Sequence, residues 1–271
     1  MEVERRSRTE NEEVVNVLVT GATGALGREV VNGLRGSGHR VRVLSRRSGT
    51  GGDWVQGNLA TGKGIDGAVA DMDAVVHAAT AGPRFWLWRA VDVDGTRRLL
   101  EASRRAHIKH FVYVSNVGTE GVASGYYRTK LAAEAVLAED IVPCSILRAT
   151  QFHTLMETYL EAFSKLPRTA AVPFAWLFQP VDPRDVAARV VQITTGSPAG
   201  RQPDFGGPEV RTFGSIAQSW LKARRLDKKL VNLPMPGRFS RQLAAGKLLS
   251  SDHKDGNTTF EQYLVRRYGR W

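Results

Sequence analysis

Residues 14–27 read VVNVLVTGATGALG, and this stretch decides the fold of the chain. Its first six residues form a near-continuous apolar run, which is typical of a strand covered on both faces in a parallel sheet. Glycines interrupt the run between residues 21 and 27, and a helical pattern then passes through Val30, Val31 and Leu34. The order of strand, glycine turn and helix predicts a turn that presents the amino end of a helix to an anion.

The same alternation continues through the first two-thirds of the chain. Further strand-like runs occupy residues 41–44, 54–57, 74–78, 111–115 and 144–148, and long helical patterns occupy residues 90–106 and 126–139. Strands and helices that alternate at this spacing predict an α/β fold with a doubly wound parallel sheet.

After residue 148 the alternation loosens, which predicts a small C-terminal lobe. A short strand is expected at residues 178–181, and Asp182-Pro183 opens a helix with an aspartate cap. Thr258 and Glu261 form a capping-box pattern before a final helix at residues 260–268. We expect three parts: a flexible tail at 1–13, a core at 14–150, and a substrate lobe at 151–271 that interleaves with the core.

The composition of the 271 residues is that of a globular protein, with 42% hydrophobic and 24% charged residues. No apolar run approaches the roughly 20 residues that cross a bilayer, and the polar N-terminal residues lack the apolar segment of a secretory signal. We therefore expect a cytoplasmic protein without a membrane partner. The single cysteine, Cys144, excludes an intramolecular disulfide and a cysteine-cluster metal site, so no metal is predicted.

The charge of the chain is strongly positive. Thirty-eight Lys and Arg against 27 Asp and Glu give +11, and the last 61 residues hold 13 of these cations against 4 acidic residues. Such an excess attracts polyanions, but no nucleic-acid motif accompanies it. We therefore expect a basic solvated surface and no nucleic-acid partner.

The glycine turn has the pattern of a dinucleotide site. Gly21 allows the tight turn, Gly24 lets the main chain approach a pyrophosphate, and Gly27 lets the helix pack closely on the strand. The alternative is a tight turn without a ligand. The residues that we expect to line the pyrophosphate are Gly21, Thr23, Gly24, Ala25, Leu26 and Gly27.

The end of the second strand selects the cofactor. An NAD site usually has an acidic residue there, whereas this chain has Ser45, Arg46 and Arg47. Guanidinium groups attract the 2′-phosphate of NADP and can stack on adenine, so NADPH is predicted. The alternative is that both arginines are simply solvated.

The chain resembles the atypical short-chain dehydrogenase/reductases with NAD(P)-binding Rossmann folds, in particular the NmrA-like group. The resemblance is carried by VTGATGALG at 19–27, VRVLSRR at 41–47, WVQGNL at 54–59, AVVHAAT at 74–80, FVYVSNVG at 111–118, YYRTKLAAE at 126–134, ILRATQFH at 146–153 and QPVDPRDVA at 179–187. In that family the residue after the third strand contacts adenine. Asn58 occupies that position here, and Leu59 follows it as a further residue expected to contact the cofactor. The resemblance also implies that Ala78, Ala79 and Thr80 lie along the cofactor.

Tyr126 and Lys130 match the tyrosine–lysine pair of this family, and a spacing of four puts both on one helical face. The resemblance implies that Lys130 holds the nicotinamide ribose and lowers the pKa of Tyr126, which then protonates a carbonyl oxygen. The alternative is that Tyr126 packs in the core and Lys130 only binds ribose.

The third member of the family's active site differs in this chain. Active relatives have Ser or Thr just after the fifth strand, where this chain has Asn116. Its amide could still donate a hydrogen bond to a developing oxyanion. The preceding residue, Ser115, is expected to bond the backbone or the cofactor amide.

The substrate pocket is expected beyond the carboxyl ends of the strands, under the lobe. Aromatic side chains there suit a planar aromatic or quinone substrate, and the alternative is that they pack the lobe. The candidates are Phe85, Trp86, Trp88, Gln151, Phe152, His153 and Trp176. His77 is expected to be a hydrogen-bonded core histidine, and Asp92 and Asp94 to be caps or solvated first-turn charges.

These features predict an NADPH-dependent oxidoreductase, without metal or flavin, that reduces a quinone or carbonyl of an aromatic small molecule. The resemblance includes quinone reductases and enzymes of polyketide tailoring, some of which act within a hydroxylation (monooxygenase) step. The main alternative is a non-catalytic NADP-sensing regulator that relays redox state to a partner. Isomerisation or epimerisation of a nucleotide sugar is a third hypothesis for the activity. The sequence leaves open whether the protein forms a homodimer.

Overall fold

A computed structural model describes residues 14–47, 49, 52–139, 142–250 and 252–269. The predicted flexible tail at 1–13 lies outside these residues. Within them, a parallel sheet of seven strands runs in the order β3-β2-β1-β4-β5-β6-β9. These strands are β1 (Asn16–Thr20), β2 (Arg40–Ser45), β3 (Trp54–Gln56), β4 (Ala74–His77), β5 (His110–Asn116), β6 (Cys144–Ala149) and β9 (Gly200–Arg201).

Helices cover both faces of the sheet, which confirms the predicted doubly wound α/β fold. In the part of the chain described they are α1 (Ala25–Gly36), α2 (Ile65–Val69), α3 (Asp94–Arg105), α4 (Gly125–Leu137), α5 (His153–Phe163), α6 (Pro183–Thr195), α7 (Phe213–Ala223), α8 (Arg238–Ala244) and α9 (Phe260–Tyr268). Helices α1 and α6 pack together on one face, while α3 packs against α2 and α4 on the other. The strand order reverses between β1 and β4, and in such sheets ligands bind beyond the carboxyl ends of the strands at that point.

A third apolar cluster forms the lobe, with Phe178, Phe213, Trp220 and Phe260 fully buried in it. Two small sheets accompany it. They join β7 (Thr169–Val172) to β11 (Lys229–Asn232) and β8 (Leu177–Phe178) to β10 (Arg211–Thr212). Because α6 and β9 follow residue 150 and yet belong to the layers of the central sheet, the lobe interleaves with the core. A domain boundary near residue 150 stays a prediction.

The later elements differ from expectation in detail. Asp182 does cap α6, since its carboxylate accepts the Arg184 amide at 2.9 Å. The capping box of α9, however, uses Thr259 and Gln262, one residue beyond the predicted pair. The reason is that Thr258 bonds Asp185 through its amide, so the helix begins one residue later. No helix among the described residues is long and apolar enough to cross a membrane.

Candidate functional site

The glycine turn brings three stretches of main chain into contact. Gly21 has a φ of +73°, and a Cβ built on it would lie 2.6 Å from the carbonyl carbon of Ala78, just after β4. A Cβ on Gly27 would lie 2.3 Å from the carbonyl oxygen of Gly21. Any side chain at either position would therefore displace backbone, which explains why glycine is needed at both.

The first turn of α1 is open to an anion. Gly24 is the N-cap residue, has extended backbone angles, and offers no side chain to the amides that follow. The first turn contains no acidic residue, and Thr23 and Gly24 are exposed. Exposed amides at the positive end of a helix form a cradle for a phosphate group. The residues present therefore fit a dinucleotide pyrophosphate at this turn.

The carboxyl end of β2 lies next to β1 in the sheet and carries Ser45, Arg46 and Arg47. Both arginines are exposed, and neither forms an ion pair with a residue that the structure describes. The Ser45 hydroxyl accepts the Arg47 amide at 3.2 Å and shapes this turn. Two cations without a carboxylate partner are thus present where the sequence predicts the 2′-phosphate, and that contact stays a prediction.

The remaining residues predicted to line the cofactor lie in two turns. Asn58 stabilises the turn after β3, because its side-chain oxygen accepts the Ala60 amide at 3.0 Å. Leu59 is buried, and its carbonyl accepts a bond from Arg98 at 3.1 Å. Ala78 and Ala79 are half-buried and Thr80 is exposed, all three directly after β4. Their contacts with adenine or with the cofactor stay predictions.

Tyr126 and Asn116 are brought together by α4 and β5. The Tyr126 hydroxyl donates to the Asn116 side-chain oxygen at 3.2 Å. Burial raises the pKa of Tyr126, and the negative charge of Asp92 acts in the same direction, while the Thr80 hydroxyl opposes them. The phenol therefore keeps its proton at neutral pH. The structure does not show the expected lowering of this pKa by Lys130, because burial raises the pKa instead.

Lys130 lies one turn further along α4 and is almost fully buried, with 3% of its surface exposed. Its ammonium donates to the Val114 carbonyl at 3.0 Å and lies 4.3 Å from the centre of the Tyr113 ring. Burial lowers the pKa of Lys130 to about 8, although Asp92 and Glu134 favour the charged form. The amine is thus close to titrating in the ordinary pH range.

Asp92 is a residue of this site that sequence reasoning missed. It is 1% exposed, so the expected solvated charge is wrong at this position. One carboxylate oxygen accepts the Ala81 amide at 3.0 Å, and the other has no hydrogen-bond partner among the described residues. A π-helical turn, Arg89–Val93, carries it into α3. The sequence did contain a signal that Asp92 is buried. Asp92 precedes the buried Thr96 by four residues and Leu99 by seven, a spacing that places all three on one face of a helix.

Ser115 also has an unpartnered polar group. Its hydroxyl is buried at the end of β5 and has no partner among the described residues, so the expected bond to the backbone is not formed. Buried hydroxyls in folded proteins are normally paired. An orphan donor beside Asn116 therefore fits the other expectation, a bond to a cofactor amide, which stays a prediction.

His77 confirms the prediction of a hydrogen-bonded core histidine. Its Nδ1 lies 2.6 Å from the Thr20 hydroxyl and its Nε2 lies 3.0 Å from the Thr96 hydroxyl. Because the Thr96 hydroxyl donates to the Asp92 carbonyl, it accepts from Nε2–H of the neutral ring, and Nδ1 accepts from Thr20. Burial lowers the pKa of His77 to about 3, aided by the charge of Lys130. The neutral ring therefore connects β4 to β1 and to α3 through hydrogen bonds.

Of the aromatic side chains predicted to contact substrate, Trp88 lies beside the tyrosine. Its ring meets Tyr126 edge-on at 5.7 Å, and its indole N–H donates to the Gly82 carbonyl at 2.8 Å. Phe85 and Trp86 are exposed and contact each other at 5.2 Å. A cleft of about 520 Å³ lies between this segment and α4, with Phe85, Trp88 and Arg128 in its wall.

The other candidates for substrate contact pack inside the lobe. Gln151 donates to the Leu248 carbonyl, and Trp176 donates to the Ser240 hydroxyl. His153 is fully buried, donates to the Thr258 carbonyl at 3.0 Å, and packs against the rings of α9. Phe152 is the exception, since it is the N-cap residue of α5 and packs against the core of the central sheet. Packing inside the protein accounts for the observed contacts of all four. Within the described residues, no group of His, Cys, Asp and Glu could hold a metal ion.

Comparison with known proteins agrees with the glycine turn. A family model described as NAD(P)H-binding matches residues 21–194. A photosystem II assembly factor from Trieres chinensis is 29% identical over 155 residues, which cover 54% of this chain and about half, 49%, of that protein. The (4-alkanoyl-5-oxo-2,5-dihydrofuran-3-yl)methyl phosphate reductase of Streptomyces griseus is 31% identical over 208 residues, covering 72% of this chain and 69% of that protein.

A solved structure shares the fold along almost the whole chain. It is a short-chain dehydrogenase/reductase superfamily protein from Agrobacterium tumefaciens with bound NAD, with a TM-score of 0.72 and 21% identity. The superposition covers 94% of this chain and 96% of that one. At this identity the likeness concerns the fold.

Proposed function

The chain belongs to the NAD(P)H-binding family, and from that premise we propose that it is an NADPH-dependent oxidoreductase that reduces a quinone or carbonyl of an aromatic small molecule. One observation carries the proposal. A protonated phenol, Tyr126, is held by Asn116 at 3.2 Å, one helical turn from the buried amine of Lys130. A relative named as a reductase supports the same class of activity.

The cofactor would be held by the glycine turn and by the carboxyl end of β2. The first-turn amides of α1, which no side chain caps, suit the pyrophosphate, and Arg46 and Arg47 suit a 2′-phosphate. The Ser115 hydroxyl, which has no partner in the part of the chain that the structure describes, suits the nicotinamide amide. When bound, the nicotinamide supplies the hydride of the reaction.

The protein's own part is to supply a proton. Because its pKa is raised, Tyr126 holds a proton on its phenolic oxygen, where a substrate carbonyl can take it. Asn116 accepts the hydrogen bond from Tyr126 and so fixes the direction of the hydroxyl. Lys130 lies one helical turn further along α4, and in this proposal its cation stabilises the phenolate that forms when the proton leaves.

The proposed substrate is planar because the ring of Trp88 flanks Tyr126, and a flat wall favours a flat ligand. The narrowest form of the proposal is a polyketide-tailoring step in which the reduced aromatic reacts with dioxygen, so that the protein acts within a monooxygenation. Oxygen dependence of the product separates this form from simple quinone reduction.

A specific observation favours the second candidate, a non-catalytic NADP-sensing protein. The Lys130 ammonium bonds the Val114 carbonyl and packs over Tyr113, so it has a structural role without any ligand. If that role is its whole role, the site binds the dinucleotide without reducing anything.

The experiment is NADPH oxidation, beside NADH, with monocyclic and polycyclic quinones, with and without oxygen. We expect NADPH-selective turnover, and Tyr126→Phe should lower kcat by roughly 10²-fold or more at unchanged NADPH affinity. Tyr127→Phe is the matched control, because it removes the neighbouring hydroxyl from the same helix and should leave kcat unchanged. Tight NADPH binding without turnover on any acceptor would favour the sensing protein, and equal turnover of both variants would remove Tyr126 from the mechanism.

A further inference from the structure

Residues 228–250 form a stretch of one charge sign, which we call the basic segment. It contains Lys228, Lys229, Arg238, Arg241 and Lys247 but no Asp or Glu. It runs from the edge strand β11 through α8, and every residue from 232 to 239 is exposed. A solvated basic face is the ordinary explanation for such a stretch, but it does not explain the apolar side chains within it.

Three large apolar side chains of the basic segment face solvent. Leu233 is 37% exposed, Met235 42% and Phe239 38%. Leu233 and Met235 alternate with Pro234 and Pro236. Proline lacks the amide proton that a strand or helix would use, so this stretch stays outside both.

The cations beside these side chains are unneutralised. Arg238 and Arg241 are three residues apart on α8, a spacing that puts them on one side of the helix. Both are exposed, as is Lys247, and none of the three forms an ion pair within the residues that the structure describes. Apolar tips flanked by unpaired cations match the chemistry of an anionic lipid surface, where chains enter the interface and cations meet phosphate groups.

The basic segment also lies close to the candidate site. Gln242 of α8 accepts the Ala123 amide at 2.9 Å and donates to the Gly121 carbonyl at 2.7 Å. Residues 121 and 123 belong to the loop that follows β5, the strand that ends at Asn116. A surface that contacted this segment would therefore lie on the side of the molecule where the carboxyl ends of the strands open.

We propose that the basic segment docks the protein on an anionic lipid surface. Leu233, Met235 and Phe239 enter the interface, while the cations of α8 and Lys247 contact the head-group phosphates. The expectation of no membrane partner came from the absence of an apolar run long enough to span, and an interfacial contact needs none. The proposal goes beyond the reductase activity and does not depend on it.

The test is flotation of the full chain with vesicles of phosphatidylcholine, alone or with phosphatidylglycerol. We expect binding only when phosphatidylglycerol is present, and loss of binding at high salt. Arg238→Gln with Arg241→Gln should weaken partitioning about 30-fold, from about fivefold per cation at a lipid surface. Leu233→Ser with Met235→Ser should weaken it roughly tenfold through lost apolar burial. Phe239 is left in place because it also packs against Trp176 at 6.3 Å.

Matched controls remove the same number of groups elsewhere. Arg40→Gln with Arg104→Gln removes two exposed cations, and Val210→Ser with Val265→Ser removes two exposed apolar side chains. Both controls should bind like the unaltered protein. The proposal is overturned if the unaltered protein does not float, or if the controls lose as much binding as the segment variants. It is also overturned if only the charge variant loses binding, since the apolar side chains would then not enter the interface.

Discussion

Replacing Lys130 by methionine is expected to stabilise the protein while it abolishes activity. The side chain is 3% exposed, and burial lowers its pKa from the ordinary 10.5 to about 8. Below pH 8 the folded protein therefore holds a buried charge that the unfolded chain holds in water. The difference between the two pKa values corresponds to about 3 kcal/mol of lost stability.

Part of that gain is lost with the bond to the Val114 carbonyl, which contributes about 1 kcal/mol. Methionine fills a similar volume, so no large cavity follows. We therefore expect Lys130→Met to raise the free energy of unfolding by about 2 kcal/mol at pH 7. In a chain of this size this corresponds to a shift of roughly 0.7 M in the urea midpoint.

The pH dependence identifies the cause. Between pH 8 and 10.5 the unfolded chain binds the lysine proton more than the folded protein does, so the stability of the unaltered protein rises with pH in this window. The advantage of Lys130→Met should therefore be nearly full up to about pH 8, fall to about half near pH 9, and vanish at about pH 10.

The assay is urea unfolding followed by tryptophan fluorescence, at pH 7 and at two higher pH values, with Lys63→Met as the control at an exposed position. The control should change the free energy of unfolding by less than about 0.5 kcal/mol at every pH. A Lys130→Met protein that is no more stable at pH 7, or whose advantage does not shrink with rising pH, would refute the assignment of a strained buried charge.

Three further changes test the site. Arg46→Ala with Arg47→Ala should weaken NADPH binding about 10- to 100-fold and NADH binding hardly at all, measured by titration of both cofactors; equal losses would exclude a 2′-phosphate contact. Asp92→Asn removes the charge that keeps the buried lysine protonated, so its pKa should fall below 8 and the alkaline limb of the pH–rate profile that reports this amine should move to lower pH. Gly27→Ala puts a methyl group 2.3 Å from a carbonyl oxygen and should cost about 2 kcal/mol of stability in urea unfolding. Gly36→Ala, where a Cβ meets nothing within 4 Å, should not destabilise.

The sheet was predictable from the sequence because buried parallel strands leave continuous apolar runs. Residues 14–19 and 111–115 each correspond to a strand, and Gly21 forms the predicted tight turn after β1 with a φ of +73°. The helix expected at 90–106 is instead a π-helical turn followed by α3. A π-helical turn holds one more residue than an α-helical turn and so shifts which side chains face the core. Because the apolar content of the segment stays the same, the sequence pattern does not reveal it.

The site was less predictable, because burial of polar groups depends on packing between distant elements. Tyr126 and Asn116 are ten residues apart and meet through α4 and β5, and the family resemblance had suggested both as residues of one site. Gln151 and His153 follow β6, where a substrate contact was reasonable to expect. They instead donate hydrogen bonds to the carbonyls of residues 248 and 258, about a hundred positions away. The residues around positions 151 and 153 do not predict such distant partners.

The electrostatics of the site keep Tyr126 protonated at neutral pH. Burial and the charge of Asp92 raise the pKa of this phenol, so it starts a reduction with its proton but is a weaker acid than a free tyrosine. A general acid transfers its proton best when its pKa is near the working pH, so a donor of this kind needs a cation that stabilises the phenolate it leaves. In the proposed reductase we expect Lys130, one helical turn along α4, to supply that cation. Because its pKa is about 8, the rate of reduction should fall as the pH rises through that value.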